Sequence, residues 1–185
     1  MKRYFIPILI AILVLTPGFL MGCVKEKTPT TALPTLPAGW KSYYNSQHDY
    51  SVGYPDNWNK EEYSSLGMVS FYEPKIGVGF DIGVGKTRET DLERYVETNK
   101  IPPSEGATYL IQRPIVVNGR QGYELVLTLP SEFFGTGFRE GLMKHRQVVF
   151  LAKGRGYVLT CTALEDEWNQ YTNIFDTAIN SFVIR

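Results

Sequence analysis

The chain has 185 residues with 19 basic and 19 acidic side chains, so its formal net charge at pH 7 is zero. Domains that bind nucleic acid usually carry a clustered basic excess, and this balance therefore argues against a nucleic-acid partner. The length accommodates one domain of ordinary size together with additional segments.

The first 22 residues have the composition of an export signal. Two basic residues precede an apolar stretch over residues 4–21, which runs into the sequence Leu-Met-Gly-Cys at 20–23. A positive start, an apolar run and a small residue before the cleavage point are typical of secretory signals. Residues 20–23 resemble the lipobox of prokaryotic lipoproteins, in which diacylglycerol is attached to the cysteine. We therefore predict that residues 1–22 form a signal peptide and that Cys23 is lipidated.

An uncleaved transmembrane anchor is the alternative interpretation of this segment. A run of about 18 residues is close to the shortest that spans a bilayer. Pro7, Pro17 and Gly18 interrupt it as a continuous helix, which favours lipid attachment over a membrane span. Both interpretations place the rest of the chain on the extracytoplasmic face of the cell membrane.

Residues 23–39 are predicted to be the lipidated N-terminus and a linker. Proline and threonine recur from Thr28 to Pro37, with few apolar residues between them. Such a segment cannot form a core, and its prolines favour an extended spacer. The folded domain is predicted to begin at Trp40 and to occupy residues 40–185.

The first half of this domain contains three predicted strands and one helix. Apolar residues alternate with small or polar ones in the strands, which are separated by turn residues. The helix is predicted over residues 90–100, with Thr90 as its N-cap and Glu93 at the reciprocal capping position. The three strands are predicted at residues 50–54, 68–72 and 78–84.

The second half contains two pairs of strands and a closing helix. Asn118-Gly119 lies between the first pair and predicts a tight reversal, because both residues tolerate positive φ. The helix is predicted from about Glu165 to Ser181, with apolar residues spaced by three and four along one face. The four strands are predicted at residues 109–117, 122–129, 145–153 and 156–163. About seven strands joined by short turns, with two helices, indicate an α+β fold in which helices cover an antiparallel sheet.

Several segments resemble PsbP-like domains. The run from Tyr50 to Trp58, with Tyr-Pro-Asp-Asn-Trp at its end, looks like the aromatic strand and turn that open such domains. The hairpin at Asn118-Gly119, the strand 157–163 and the ending at 181–184 follow in family order. The resemblance extends from about Trp40 to Arg185. It implies an α/β/α sandwich around a central antiparallel sheet, a family that includes the extrinsic subunit of photosystem II and prokaryotic lipoproteins, and it provides no shared catalytic residues.

Few residues of the chain suggest a catalytic, phosphate-binding or metal-binding site. The glycines in 77–85 alternate within a strand-like run, whereas a phosphate-binding loop needs them between a strand and a helix. His48 and His145 are the only histidines, too few for a zinc site, and His48-Asp49 is interpreted as a solvated turn. Cys161 lies in an apolar strand and is interpreted as a buried filler. We predict no metal, no cofactor and no enzymatic activity, with an enzyme of unknown class as the third hypothesis.

A loop between two strands is the strongest candidate for partner binding. Phe133, Phe134, Phe138 and Arg139 lie among glycines where the pattern predicts a connection. Aromatic anchors on loops often contribute most of the binding energy at protein interfaces. The alternative is that these phenylalanines fold back onto the core. The first functional hypothesis is therefore a membrane-tethered, non-catalytic module that binds or helps to assemble another envelope protein, and the second is binding of a small apolar or lipid ligand between sheet and helix.

Overall fold

The computed structural model describes residues 34–74, 77–134 and 140–185, of which the side chains of Phe133 and Phe134 are excluded. The predicted signal peptide and Cys23 lie outside the described residues. Within these residues there are ten strands and two α-helices. In chain order they are β1 (Trp40–Asn45), β2 (Tyr50–Pro55), β3 (Asn59–Tyr63), β4 (Met68–Tyr72), β5 (Gly79–Lys86), α1 (Leu92–Asn99), β6 (Thr108–Val117), β7 (Arg120–Pro130), β8 (Leu142–Ala152), β9 (Arg155–Leu164), α2 (Trp168–Ser181) and β10 (Val183–Ile184).

Seven strands form one antiparallel sheet in the order β3-β4-β5-β9-β8-β7-β6. Its two long hairpins turn through Asn118-Gly119 and Lys153-Gly154, and all four of these residues have positive φ. Two consecutive residues with positive φ make the turn whose twist matches that of the flanking strands. The predicted reversal at Asn118-Gly119 is confirmed.

The two helices lie on opposite faces of this sheet. Val148 on β8 belongs to the core beneath α2, whereas the next residue, Val149, belongs to the core beneath α1. Successive side chains of a strand point to opposite faces, so each helix covers one of them. The α2 side also carries a small sheet of β1, β2 and β10. The predicted α+β sandwich around a central antiparallel sheet is confirmed.

The glycine-rich run is a strand, as the sequence indicated. Phe80, Ile82 and Val84 on β5 are buried in the core on the α2 side. The glycines alternate with them and therefore face the α1 side. Cys161 is also buried on the α2 side, and burial raises the pKa of its thiol. Its interpretation as a buried filler is confirmed.

Some local predictions were wrong. The N-cap of α1 is Asp91, whose side chain accepts a hydrogen bond from the N–H of Arg94, and the helix begins at Leu92, whereas Thr90 was expected to be the cap. A carboxylate caps a helix as well as a hydroxyl does, so the sequence alone does not choose between adjacent candidates. The strands β1, β3 and β10 were missed.

The domain contacts the last part of the predicted linker. A Cβ atom at Gly53 on β2 would lie 2.3 Å from Cδ2 of Leu36, so the absence of a side chain at residue 53 leaves room for this leucine. The N–H of Gly53 donates a hydrogen bond of 2.7 Å to Oγ of Ser181, at the end of α2. Leu36 therefore packs where β2 meets α2, four residues before β1 begins.

Candidate binding surface

Apolar side chains are exposed at one end of β6, β7 and β8. Leu110 is 51% exposed, Ile111 36% and Leu142 46%, and Pro130 is also exposed. Leu142 pairs with Pro130 across β7 and β8, and β6 begins beside the same end of β7. We call these four residues the hairpin-end surface. Clustered exposed apolar residues of this kind mark interaction sites more often than isolated ones do.

A β-bulge lies within this surface. Tyr109 pairs with Leu127 and Ile111 pairs with Val126, which leaves Leu110 without a partner on β7. An extra residue in one strand bends it and redirects the side chain. Among the described residues, β6 is at the edge of the sheet and no strand pairs with its outer side. Residues 110–114 are all exposed, so the exposure of Leu110 and Ile111 is part of the exposure of the edge strand, and the bulge adds an unpaired Leu110 to it.

The connection from β7 to β8 leaves the sheet at this surface. The N–H of Ser131 donates to the carbonyl of Gly141 at 2.9 Å, and the N–H of Gly141 donates to Oγ of Ser131 at 3.2 Å. Ser131 is 3% exposed, so the base of the connection is held within the domain. The backbone of residues 131–134 forms a 3₁₀ turn.

The predicted partner-binding residues belong to this connection. Phe133 and Phe134 lie in the 3₁₀ turn, but their side chains are outside the described part of the structure, as are Phe138 and Arg139. Their role as contacts stays a prediction. The hairpin-end surface, which the sequence did not reveal, adjoins the place where they leave the sheet.

Acidic residues accompany the apolar ones. Glu132 and Glu140 are exposed at the two sides of the connection. Glu105 is exposed beside Gly106, and a Cβ at Gly106 would lie 3.5 Å from Cδ of Pro130. The surface thus combines an apolar centre with carboxylates at its margin. A partner with apolar anchors and basic residues around them would complement it.

A row of polar residues crosses the sheet on the α1 side. Ser70, Asp81, Thr160 and Gln147 are directly opposite one another on β4, β5, β9 and β8. Ser70 donates a hydrogen bond to Asp81, and burial raises the pKa of Asp81 to about 6. The amide of Gln147 donates to Oγ1 of Thr160 at 3.4 Å. These contacts occur within the row and fix its side chains in place.

His145 lies in the neighbouring row of the same face. Its Nδ1 is 2.9 Å from Oγ1 of Thr162, and the residue is 2% exposed. Burial lowers the pKa of His145 to about 4, so the ring is neutral at pH 7. Cys161 points to the opposite face of the sheet and is not positioned for activation by this imidazole. The arrangement is that of a polar core, in which buried groups bond one another.

The interpretation of His48 as a solvated turn residue was wrong in part. His48 does lie in the turn between β1 and β2, but both of its ring nitrogens are shielded from solvent. The ring lies against the backbone of Gly67, where an added Cβ would be 3.5 Å from Nε2. The contact comes from a residue 19 positions away in sequence, and for that reason the local pattern did not show it.

In the described part of the chain, no three side chains of His, Cys, Asp or Glu are grouped so as to hold a metal ion. In the same residues, neither helix has the length and apolar character that crossing a bilayer requires.

Comparisons with known proteins relate the fold to solved structures. No family model and no curated protein sequence matches the chain. The solution structure of cyanobacterial PsbP (CyanoP) from Synechocystis sp. PCC 6803 superposes with a TM-score of 0.56 and 16% identity, covering 80% of this chain and 94% of that one. The protein of unknown function PA94 from Pseudomonas aeruginosa gives 0.54 and 15%, covering 80% and 99%.

LpqN from Mycobacterium tuberculosis, described as involved in cell envelope biogenesis, gives a TM-score of 0.50 and 13% identity, covering 78% of this chain and 89% of that one. At such identities the likeness concerns the fold and not the activity. The resemblance to PsbP-like domains, first indicated by the order of strands and turns, is therefore supported by the structure. The chain has the PsbP-like fold.

Proposed function

We propose that the chain is an extracytoplasmic lipoprotein, held at the cell membrane by a lipid on Cys23, that acts as a non-catalytic module binding another envelope protein. The observation that carries the proposal is the hairpin-end surface, where Leu110 and Leu142 are about half exposed. Large apolar side chains at a sheet end, with carboxylates around them, fit an interface between proteins.

The edge strand β6 favours contact with a partner at its N-terminal end. An edge strand offers unpaired N–H and C=O groups that a partner strand can use. Pro114, near the middle of β6, has no N–H and interrupts such pairing. The part of β6 that precedes Pro114 contains Leu110 and Ile111 and adjoins the β7–β8 connection. We therefore infer that a partner binds there, with Phe133, Phe134 and Phe138 as further contacts.

The extracytoplasmic location is supported by two observations. The sequence before the domain has the features of a lipoprotein signal ending at Cys23. The described involvement of LpqN in cell envelope biogenesis concerns a protein with the same fold.

Site-specific photocrosslinking in intact cells of the host tests the interface. A photoreactive amino acid at Leu110 or Leu142 is expected to give a discrete crosslinked product that contains a second envelope protein. Val116 is the matched control, since it is 68% exposed on the same strand but at its other end. Equal products from all three positions, or none from Leu110 and Leu142, would contradict an interface at the hairpin end.

Lipidation is tested separately. Cells grown with an alkyne-labelled fatty acid are expected to label the wild-type protein in the membrane fraction and not the Cys23→Ser variant. An unlabelled protein with its N-terminal methionine intact would remove the tether from the proposal, although the crosslinking result would stand by itself.

A further inference from the structure

The backbone of β6 points away from the sheet at alternate residues, and the hairpin with β7 determines which ones. The turn at Asn118-Gly119 has two residues, both with positive φ, and the residues on either side of it pair with each other. In such a hairpin the flanking residues exchange both of their hydrogen bonds, and hydrogen-bonded pairs then alternate with non-hydrogen-bonded pairs along the strands. The N–H and C=O positions of Val116, Pro114 and Gln112 therefore face outward.

The proline in β6 supports this assignment. Proline has no N–H, and in an edge strand it occupies positions where that group would face solvent. Pro114 pairs with Tyr123 at one of the outward positions, so the ladder between β6 and β7 loses no bond. A strand lying along β6 would meet an acceptor but no donor at Pro114. Between the bulge and this proline, Gln112 is the residue that offers both groups.

The edge at Gln112 is accessible. The residue is exposed, and among the described residues no strand pairs with its outer side. Gln112 pairs with Leu125, which belongs to the core beneath α1, so its side chain is directed to that face of the sheet. There its Oε1 accepts a hydrogen bond of 3.3 Å from Nζ of Lys100. An open edge with unpaired N–H and C=O groups is a template for another strand.

The charge around this edge favours a basic partner. The N–H of Glu165 donates to the carbonyl of Leu142 at 2.8 Å, which adds a fourth exposed carboxylate to the hairpin-end surface. The two cations beside Gln112, Lys100 and Arg113, are each in an ion pair of 2.7 Å with a glutamate. Lys144 adds one positive charge at the same end of β8, so carboxylates remain in excess among the described residues. The four carboxylates are those of Glu105, Glu132, Glu140 and Glu165.

We propose that the partner of the hairpin-end surface contributes an extended segment with apolar and basic residues, which adds to β6 as a further strand beside Gln112. This inference rests on the proposed function and specifies how the partner binds. The partner's backbone bonds the N–H and C=O of Gln112, and its apolar side chains pack on Leu110 and Ile111. Its basic side chains meet the surrounding carboxylates. Pro114 ends the pairing, because it offers no N–H.

A backbone substitution tests the strand addition. The probe is a photoreactive amino acid at Leu142, in the full chain and in intact cells of the host, and the readout is the yield of the discrete crosslinked product. Gln112→Pro removes the outward N–H and is expected to lower this yield at least about tenfold, because a carbonyl of the partner loses its donor. Val116→Pro is the matched control. It removes an outward N–H beyond Pro114 and is expected to leave the yield within about twofold.

The chemistry of the partner is tested without a change in β6. Mass spectrometry of the crosslinked product is expected to map the crosslink to a segment in which lysine or arginine residues occur among apolar ones. Glu132→Lys/Glu140→Lys reverses two exposed charges of the surface and is expected to lower the yield at least about threefold. Asp56→Lys/Glu93→Lys makes the same change in net charge at exposed positions outside the surface and is expected to have little effect.

Three results would overturn the strand addition: a yield that Gln112→Pro leaves unchanged, equal losses with Gln112→Pro and Val116→Pro, or a crosslinked segment that is acidic. With the first result the crosslink itself would remain, and so would the proposed function. Absence of any product from the otherwise wild-type chain would remove the proposed function and this inference with it. Circular dichroism shows whether each purified variant is folded. If Gln112→Pro is not, the charge reversal and the mapped segment decide.

Discussion

The Nε–H of Arg146 donates a hydrogen bond of 2.6 Å to the carboxylate of Glu124, which is only 2% exposed. Arg113 donates its Nε–H to the other oxygen of that carboxylate at 2.7 Å. Arg146 also contacts Asp176 on α2. These ion pairs connect β6, β7 and β8 to the helix that covers them.

Replacing Glu124 with Gln is expected to destabilise the domain by about 1–3 kcal/mol, because the largely buried Arg146 loses one of its two charged partners and keeps Asp176. Chemical denaturation measures the change. Arg113→Gln is the matched control: the Arg113 side chain is 60% exposed, and its loss is expected to cost less than about 1 kcal/mol. Equal effects of the two substitutions would show that burial of Glu124 does not determine the strength of the network.

Asp81→Asn is expected to stabilise the protein at neutral pH. Burial raises the pKa of Asp81 from 3.8 to about 6. Below about pH 3 the carboxyl is protonated in the folded and unfolded chains, and its ionisation then has no effect on stability. As the pH rises to 6 the unfolded chain ionises first, so the folded chain loses up to about 3 kcal/mol. The free energy of unfolding of the variant, relative to wild type, should therefore increase between pH 4 and pH 7.

Asp166→Asn controls for the loss of one negative charge, since Asp166 is exposed before α2. It is expected to change the free energy of unfolding by less than about 0.5 kcal/mol at either pH. An Asp81→Asn variant that is less stable than wild type at pH 7 would mean that the carboxylate is stabilised in the fold.

His145 is expected to act in the opposite direction. Burial lowers the pKa of His145 from 6.5 to about 4. As the pH falls from 6.5 to 4 the unfolded chain takes up a proton that the folded chain does not, which costs up to about 3 kcal/mol. His145→Gln should remove this acid sensitivity, as measured by denaturation at pH 7 and pH 4. Thr162→Val, which removes only the hydroxyl at Nδ1, should keep it.

Gly156 permits close contact between α1 and the sheet. A Cβ at this position would lie 2.3 Å from Oη and 2.5 Å from Cζ of Tyr95. Gly156→Ala is therefore expected to destabilise the domain by about 1–3 kcal/mol, because the tyrosine must move. In the Tyr95→Ala background the same substitution should cost much less.

Gly83→Ala is the matched control for this overlap. Gly83 lies on the neighbouring strand β5, and a Cβ there would meet no atom within 4 Å. Its substitution is expected to change the free energy of unfolding by less than about 1 kcal/mol. If Gly83→Ala destabilised the domain as much as Gly156→Ala, a general intolerance of β-strand substitution would replace the overlap with Tyr95 as the cause.

The sequence predicted those strands and helices in which the spacing of apolar residues matches the spacing of buried positions. On β5 every second residue from Phe80 to Val84 is apolar and buried, and the strand was found. On β3 the residues 59–62 are all exposed, and the strand is defined by its pairing with β4. No apolar pattern can reveal such a strand, because its side chains do not enter the core.

The hairpin-end surface could not be predicted from the sequence either. Leu110 and Ile111 lie in an apolar run that reads as an ordinary strand. Their exposure follows from the position of β6 at the sheet edge, where residues 110–114 are all exposed, and the bulge leaves Leu110 unpaired. Strand order and bulges depend on contacts between distant segments, whereas turns such as Asn118-Gly119 are encoded by adjacent residues.

The contact of Leu36 with β2 defines where the tether would meet the domain. With a lipid on Cys23, the chain between residues 23 and 36 links the domain to that lipid, and at about 3 Å per residue its greatest reach is about 40 Å. The height of the domain above the lipid is then set by this short stretch, measured from Leu36 and not from Trp40. Deleting residues within 24–33 would reduce the greatest distance between the domain and the lipid, and it would remove no residue of the domain. Leu36→Asp would break the contact with β2, lengthen the free part of the linker and so increase that distance.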